Sequence, residues 1–475
     1  MKLIYQVDDK VKFGPLVVFA LQQLLAIMTA TLVVPIIING NVLKMIAEGT
    51  SLFGSSEYVP MSPAAALFGA GVGTLIYVLF TKRKSPVFLG SSFAFLGSMT
   101  AAFAGAVSMS LGYLGLIFGA VFAGLVYVVI ALIVKFAGVD WINKLMPAVV
   151  IGPTVAIIGL SLAGNAVGDI VTGGVKTTLE DGSSVPVALP IVALIAGLVT
   201  LAVTMLCSTY GKKTAKLIPF IFGILAGYAF CLVVTLIGNA AGVDELKLLS
   251  FDSFKNLVAD GVTVKTFIAL PDFTFLNSSF DKMNGAYIGT IAAAYIPVAF
   301  VVFAEHIADH KNISSIIEKD LLKEPGLHRT LLGDGVGSMV GAFFGGCPNT
   351  TYGESIGCVA ITKNASVYTI ITAACGAIII SFISPFIAFV NSIPSCVMGG
   401  VCMALYGFIA VSGLKMIQNV NLNKNKNLFV VSVILIAGIG GLTLNFGSVT
   451  ITEVACALIL GILTNLLLKR APEEE

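Results

Sequence analysis

The stretch AYIGTIAAAYIPVAFVVFA, Ala286 to Ala304, is followed directly by the carboxylate Glu305. Its apolar and small residues reach about the 20 residues that an α-helix needs to cross a bilayer. A carboxylate at the end of such a helix is costly unless it faces a polar cavity or a partner. A second carboxylate, Glu354, follows in CPNTTYGESIGC, which is too polar and too broken for a lipid-facing helix. The two carboxylates predict a polar binding pocket within a membrane-spanning protein.

The composition of the chain places it among polytopic membrane proteins of the all-α class. Of its 475 residues, 57% are hydrophobic and only 11% are charged, whereas soluble domains carry about 25% charged residues. The net charge of +2 gives no indication of nucleic-acid binding. The polar start MKLIYQVDDKVK precedes a full-length span, so we expect no cleavable signal peptide. The eight cysteines show no CxxC spacing and are expected to be buried thiols rather than disulfides or metal ligands.

Hydropathy divides the chain into fourteen predicted transmembrane segments. Their approximate limits are 13–38, 63–80, 86–103, 111–136, 147–168, 187–207, 217–237, 286–305, 327–345, 347–362, 366–390, 394–414, 427–444 and 449–468. The third and tenth segments are short and rich in Gly, Ser and Thr. Such segments are tolerated at membrane depth only where the backbone is buried in protein or lines a cavity.

The distribution of basic residues predicts the orientation. With the N-terminus in the cytoplasm, all but six of the 27 Lys and Arg residues fall on the cytoplasmic side. This agrees with the positive-inside rule and places both termini in the cytoplasm. The six on the outer side are Lys44, Lys176, Lys247, Lys255, Lys265 and Lys282.

The two halves of the chain share a plan. Segments 1–7 and 8–14 each begin with a full span and reach a short polar segment third, LGSSFAF (89–95) and PNTTYGE (348–354). Because seven is odd, the halves have opposite orientations. Interrupted segments at matching positions of an inverted repeat are typical of a transporter's binding site. The alternative is that Gly and Ser merely allow close helix packing.

Several motifs occur together along nearly the whole chain. They are TATLVVP (29–35), GSSFAF (90–95), FAEHIADH (303–310), IIEKDLLKEPGLHRT (316–330), GCPNTTYGESIGCVAITK (346–363) and PSCVMGGVCMALYG (394–407). In this order they resemble the nucleobase–ascorbate transporter family, also called nucleobase:cation symporter-2, and specifically its bacterial uracil permease branch.

The resemblance implies two inverted seven-segment repeats, with short extended strands in segments 3 and 10 that meet near the bilayer centre. Segments 1–4 and 8–11 would form a core domain that carries substrate. Segments 5–7 and 12–14 would form a gate domain, which would also be the surface of a homodimer. The corresponding ranges are 1–140 and 286–392 for the core, 141–240 and 393–475 for the gate, and 241–285 for an extracellular loop.

The chemistry of a uracil site can be stated from the ligand. Uracil offers two N–H donors, two carbonyl acceptors and a flat ring, so a site needs carboxylate acceptors, backbone N–H donors and an aromatic wall. Glu305 and Glu354 supply acceptors, and helix starts beside Phe93 and Gly353 leave N–H groups free. The resemblance implies these contacts and adds Ala30, Tyr352 and Tyr406 as walls of the pocket. The alternative for the two tyrosines is that they are ordinary core or interface aromatics. Ser92 is a further candidate for substrate binding, and the alternative for it is a packing role.

The titratable residues near Glu305 suggest how a proton is coupled. Asp309 stands one turn away, where uracil permeases can carry a histidine, so Glu305 and Asp309 are both candidate proton carriers. His306 and His310 share the neighbouring helical face. Their order, E-H-x-x-D-H, does not match the zinc motif H-E-x-x-H, so we expect no metal.

Two positions depart from the pattern of the resembled family. Ser355 stands where the pattern usually has Asn, directly after the segment-10 carboxylate. Gln22-Gln23 stands where relatives often have Gln-His, so one titratable group is missing. The contacts that Asn and His make in relatives are therefore in question here.

The expected function is proton-coupled symport of uracil across the cytoplasmic membrane, without a cofactor. A purine permease of the same family is the alternative, although those commonly have Gln at the position of Glu354. A sulfate-permease-type anion exchanger shares the inverted plan, but two carboxylates would repel its substrate. An intramembrane enzyme is disfavoured because no nucleophile–base pair or metal motif stands out.

Overall fold

The computed structural model describes residues 3–138, 141, 147–178, 184–212, 214–259, 261–446 and 449–470. The predicted domain boundary at residue 140 and the end of the predicted cytoplasmic tail, 471–475, lie outside these residues. The first α-helices are α1 (Phe13–Ala47), α2 (Pro63–Phe80), α3 (Leu96–Ala104), α4 (Met109–Ala137), α5 (Ala148–Ser161), α6 (Ala163–Ile170), α7 (Pro190–Tyr210), α8 (Thr214–Leu217) and α9 (Pro219–Ala241). The exterior loop carries α10 (Asp252–Leu257), α11 (Val264–Phe267) and α12 (Thr274–Asn277).

The second half continues with longer helices. They are α13 (Gly285–Ile317), α14 (Leu327–Gly345), α15 (Gly353–Thr362), α16 (Val367–Ile380), α17 (Ser384–Asn391), α18 (Ser395–Met416), α19 (Asn425–Ile439) and α20 (Glu453–Leu467). The strands are β1 (Leu89–Ser91), β2 (Lys176–Thr178), β3 (Ser184–Pro186), β4 (Asn349–Thr351), β5 (Leu444–Phe446) and β6 (Val449–Ile451).

Helices of membrane-spanning length dominate the described residues. Eight helical stretches are long and apolar enough to cross a bilayer: α1, α2, α4, the α5–α6 pair, α7, α9, α13 and α18. Four shorter apolar helical stretches cover 93–104, 367–380, 425–439 and 453–467. The all-α, multi-pass prediction is confirmed, and the count of fourteen segments stays a prediction.

The structure differs from the hydropathy limits at several helix ends. Helix α13 continues to Ile317, so Glu305 lies well inside a helix and not at its end. The polar residues that follow Glu305 do not end the helix because His306 and His310 are fully buried and hydrogen-bonded. The predicted eleventh segment is two helices, α16 and α17.

Two β-hairpins were not predicted. Strand β2 pairs with β3, and β5 pairs with β6, both antiparallel. Strand β6, with the sequence VTI, consists of β-branched residues that favour extended backbone. Hydropathy alone does not separate a short apolar strand from the start of a helix. The predicted fourteenth segment therefore starts at 449, whereas α20 begins at Glu453.

The strands β1 and β4 form an antiparallel pair in the two interrupted segments. Leu89 pairs with Thr351, Gly90 with Thr350, and Ser91 with Asn349. A side chain at Gly90 would collide with the ring of Tyr352, so glycine is needed there. Each strand leads straight into a helical turn, at Phe93 and at Gly353. Two helix starts are thereby placed beside a buried strand crossing.

The long helices pack as two groups. In the first helix group, α2 packs on α14 and α16, α4 packs on α13 and α14, and α1 packs on α15 and α16. In the second helix group, α5 packs on α18 and α19, α7 packs on α9 and α18, and α19 packs on α20. The β1–β4 pair contacts α1, α2, α13 and α14 of the first group.

Glycines allow the closest helix contact of the first group, between α2 and α14. A Cβ on Gly69 would lie 2.5 Å from the carbonyl oxygen of Gly341, and one on Gly73 would lie 2.7 Å from that of Gly337. Small residues at such crossings let helix backbones approach closely within a membrane.

The variant Gly69→Ala is expected to destabilise the protein, because the added methyl group meets backbone that cannot rotate away. Overpacking of this kind costs about 1–3 kcal/mol. Thermal unfolding in detergent measures the effect. Gly40→Ala in α1 is the matched control, since no atom lies within 4 Å of a Cβ there. Equal unfolding temperatures for the two variants would show that the α2–α14 contact yields easily.

Candidate functional site

A cavity of about 370 Å³ lies between the two helix groups, beside the β1–β4 crossing. Its volume falls within the range of about 300–1,000 Å³ that is usual for small-molecule sites. The lining residues are Phe93, Ala94, Val155, Ile158, Glu305, Ala308, Asp309, Thr350, Thr351, Tyr352, Gly353, Glu354, Leu405, Phe408, Ile409, Ser412 and Met416.

The cavity has one polar wall and one apolar wall. The polar wall is the β4 region with the start of α15 and one face of α13, and it carries all three carboxyl groups. The opposite wall comes from α5 and α18 and is apolar except for Ser412. A ligand with several polar atoms would therefore hydrogen-bond to one helix group and make van der Waals contact with the other.

The three carboxyl groups come from two elements. Glu305 and Asp309 are one turn apart on α13, and Glu354 is in the first turn of α15. No Lys, Arg or His is among the residues described as lining the cavity. Such groups accept hydrogen bonds when ionised and can carry a proton when neutral. This cavity is therefore suited to a ligand that presents N–H donors and unsuited to an anion.

Asp309 is fixed to the strand crossing by a hydrogen bond. The hydroxyl of Thr351 donates to Asp309 Oδ2 at 2.7 Å. This contact joins α13 to β4 and leaves the other carboxylate oxygen of Asp309 available. Asp309 therefore contacts β4 as well as lining the cavity, which its spacing from Glu305 alone did not indicate.

The start of α15 offers hydrogen-bond donors to the cavity. Tyr352 is the N-cap residue and contributes no side-chain cap. The first N–H groups of a helix have no partner within the helix, and the helix dipole adds positive potential there. Gly353 leaves this turn open, because no atom lies within 4 Å of its would-be Cβ. Carbonyl oxygens of a ligand fit this position.

The structure brings together most of the predicted site residues. Glu305, Glu354, Asp309, Phe93, Tyr352 and Gly353 all line the cavity. The hydroxyl of Tyr352 donates to the carbonyl oxygen of Ser91 at 2.6 Å. This bond orients the Tyr352 ring as a wall, and its role toward a ligand stays a prediction.

Three predicted residues do not line the cavity. Ala30 is buried in the apolar cluster that contains Tyr352. Ser92 is buried, and its backbone N–H donates to the carbonyl oxygen of Pro348 at 2.8 Å. Tyr406 is buried, and its ring forms a T-shaped pair with the ring of Phe93 at a centroid distance of 6.2 Å. Their contact with a ligand stays a prediction.

The apolar wall of the cavity and the two threonines of its polar wall, Thr350 and Thr351, were not predicted from the sequence. Thr350 and Thr351 stand in the PNTTYGE motif, so their place beside Glu354 was available as a signal. Val155, Ile158 and Phe408 sit in ordinary apolar helices, and no local pattern distinguishes them from lipid-facing residues.

The two histidines face away from the cavity into a buried network. His306 Nδ1 lies 2.7 Å from Asp334 Oδ2, and its Nε2 lies 3.0 Å from the hydroxyl of Thr330. His310 Nδ1 donates to the carbonyl oxygen of His306 at 2.8 Å, and its Nε2 lies 2.6 Å from the hydroxyl oxygen of Tyr77. The prediction that the histidines and the carboxylates occupy different faces of α13 is confirmed. Within the described residues, no cluster of His, Cys, Asp and Glu suits a metal ion.

The fold and the cavity define a class: a multi-pass helical membrane protein with the fold of known transporters. The transmembrane domain of the cyanobacterial bicarbonate transporter BicA superposes with a TM-score of 0.55 at 13% identity, covering 97% of this chain and 100% of that one. The inward-facing structure of the murine Slc26a9 anion transporter gives a TM-score of 0.61 at 10% identity, covering 97% and 69%. At such identities the likeness concerns the fold alone.

Sequence comparison then identifies the family. A family model described as Permease family (Xan_ur_permease) matches residues 14–446. The uracil permease of Bacillus caldolyticus is 36% identical over 475 residues, covering 99% of this chain and 96% of that one. The uracil permeases of Bacillus subtilis (strain 168) and Escherichia coli (strain K12) are 36% and 35% identical, covering 90% and 88% of this chain and 92% and 89% of theirs. The chain therefore belongs to this permease family.

Proposed function

We propose that this protein is a secondary active transporter that takes up uracil across the cytoplasmic membrane. The observation that carries the proposal is that Glu305 and Glu354 meet in one cavity beside the open helix start at Gly353. The relatives named as uracil permeases match nearly the whole chain and support the choice of substrate.

The cavity matches the hydrogen-bonding groups of uracil. The ring N–H groups would donate to the carboxylates of Glu305 and Glu354, and the ring carbonyls would accept from backbone N–H groups near Gly353 and Phe93. The rings of Phe93 and Tyr352 line the same cavity. A site of this kind discriminates well, because an analogue that lacks one group leaves buried polar atoms unpaired.

The two walls suggest how the substrate is carried. We assign the first helix group to the core domain, 1–140 with 286–392, and the second to the gate domain, 141–240 with 393–475. The hydrogen-bonding groups belong to the first and the apolar wall belongs to the second. Because an apolar wall makes no directional bonds, the core domain can slide along it with uracil bound. Movement against the gate would expose the cavity to each side in turn.

The proposal includes proton symport, cytoplasmic termini and a homodimer formed through the gate domain. A carboxyl group of the cavity, Glu305 or Asp309, would carry the proton. The distribution of basic residues supports the orientation.

Two other functions compete with uracil uptake. A purine permease of the same family would need a site for a larger ring system, and Glu354 stands where those proteins commonly have Gln. An anion exchanger of the sulfate-permease type is the second, because the solved structures with this fold include anion transporters. The three carboxyl groups and the lack of a basic residue among the described lining residues disfavour an anion.

Uptake of radiolabelled uracil into proteoliposomes tests the proposal. We expect saturable uptake of labelled uracil that an excess of unlabelled uracil abolishes. Thymine and 5-substituted uracils should inhibit this uptake to differing degrees, and xanthine and urate should inhibit it little. Competition by xanthine at lower concentration than by uracil would favour the purine function. Uptake of bicarbonate or sulfate without uracil uptake would favour the anion function.

The same vesicles test proton coupling. An imposed pH gradient, acidic outside, should drive accumulation of uracil, and a protonophore should collapse it, since a cavity carboxyl group must gain its proton from one side. Accumulation that an inward sodium gradient drives equally well without a pH gradient would contradict proton symport.

A further inference from the structure

Two buried polar residues that are distant in sequence touch each other. Gln23 lies on α1 and Ser355 lies in the first turn of α15, and the side-chain amide of Gln23 donates to the hydroxyl oxygen of Ser355. Both residues are buried, with 2% and 0% of their surfaces exposed. Sequence alone gives no reason for this contact, because 332 positions separate the two residues.

The hydroxyl of Ser355 joins three segments of the protein. Besides the amide of Gln23, it accepts the backbone N–H of Phe88 at 3.0 Å. Phe88 directly precedes β1, the strand that leads to Phe93 at the cavity. One oxygen atom therefore satisfies two buried N–H donors, which would otherwise be costly to bury. The result ties the start of α15 to α1 and to the chain entering β1.

Ser355 is also the immediate neighbour of Glu354. Successive residues of a helix point about 100° apart, so Ser355 can be buried against α1 while Glu354 faces the cavity. The first turn of α15 has no side-chain cap from Tyr352. The bonds at Ser355 are therefore contacts that hold this turn, and with it the direction of the Glu354 side chain, relative to α1 and β1.

We propose that Gln23 and Ser355 are a coupled pair of positioning residues that hold the Glu354 carboxyl group in its substrate-binding geometry. The proposal rests on the proposed function in that Glu354 is taken to contact uracil. The hydroxyl side chain on α15 is short, and the longer amide side chain on α1, whose NH₂ group can only donate, reaches it. The pair acts through Glu354 and does not touch substrate.

The test combines Ser355→Ala, Gln23→Leu and Ser355→Thr with two backgrounds, Glu354→Gln and Glu305→Gln. Affinity for uracil is measured by calorimetry on the full-length purified protein. Ser355→Ala should weaken binding about tenfold, since two buried donors lose their acceptor. Gln23→Leu should weaken it less, and the double variant should be no worse than Ser355→Ala. Ser355→Thr keeps the hydroxyl group, so this variant should retain the wild-type affinity for uracil.

The backgrounds separate positioning from general stability. If Ser355 acts through Glu354, replacing Ser355 should weaken uracil binding by less than about twofold more in the Glu354→Gln background. In the Glu305→Gln background the same replacement should weaken binding as much as it does in the wild-type protein. An equal loss in both backgrounds would overturn the proposal. Should Ser355→Ala fail to fold, Gln23→Leu, which leaves the bond from Phe88 in place, carries the same comparison.

Hydrogen exchange provides a readout without ligand. Amides of residues 353–357 should exchange faster in Ser355→Ala and Gln23→Leu than in wild type, and at the wild-type rate in Ser355→Thr. Unchanged exchange in both of the first two variants would overturn the positioning role. A wild-type protein that binds no uracil would refute the proposed function instead, while the exchange rates would still decide whether the pair holds the start of α15.

Discussion

Replacement of Glu354 with alanine is expected to weaken uracil binding strongly while the protein remains folded. The carboxylate is the acceptor that α15 contributes to the cavity, and its loss leaves a ring N–H group without a partner. An unpaired buried polar group costs about 1–3 kcal/mol, which corresponds to about five- to 150-fold in affinity. Folding should survive because the Glu354 side chain lines a cavity and not the packed interior of a helix group.

Calorimetry with uracil, on variant protein with a normal size-exclusion profile, measures this effect. Glu57→Ala is the matched control, since it removes an exposed carboxylate outside the cavity. The control should bind as wild type does. Wild-type affinity in Glu354→Ala would remove this residue from the site and would leave Glu305 as the principal acceptor.

The second large effect is expected at Glu305, where binding and proton coupling can be separated. Glu305→Gln should weaken uracil binding, because an amide offers one acceptor oxygen and places a donor where the ring also has one. If Glu305 carries the coupled proton, the variant should lose accumulation against a gradient more severely than it loses binding. We expect this second outcome, since position 23 holds a neutral amide and supplies no alternative titratable group.

Asp309→Asn is the variant to compare with Glu305→Gln. Asp309 lines the same cavity and is held by the hydroxyl of Thr351, so it is the competing proton carrier. Both variants are assayed for equilibrium binding and for pH-driven accumulation in proteoliposomes. If Asp309→Asn binds uracil without pH-driven accumulation while Glu305→Gln still accumulates it, then Asp309, and not Glu305, carries the coupled proton.

Much of the fold followed from local patterns in the chain. Apolar runs of spanning length predicted the long helices, because the transfer of such a run from water to lipid depends only on its own residues. The short polar stretches LGSSFAF (89–95) and PNTTYGE (348–354) marked the places where helices are interrupted, and the structure has β1 and β4 there. Glu305 and Glu354 were evident as carboxylates in apolar surroundings.

Tertiary structure alone decided which residues share the site. Val155 and Phe408 form its apolar wall, although nothing in their own segments differs from a lipid-facing helix. The length of α13 beyond Glu305 depends on the burial of His306 against Asp334, a partner on another helix. Ser355 meets Gln23 although 332 positions separate the two residues in the chain. Hydropathy and motif patterns report the energies of single segments, whereas these contacts arise from the packing of segments that are distant in sequence.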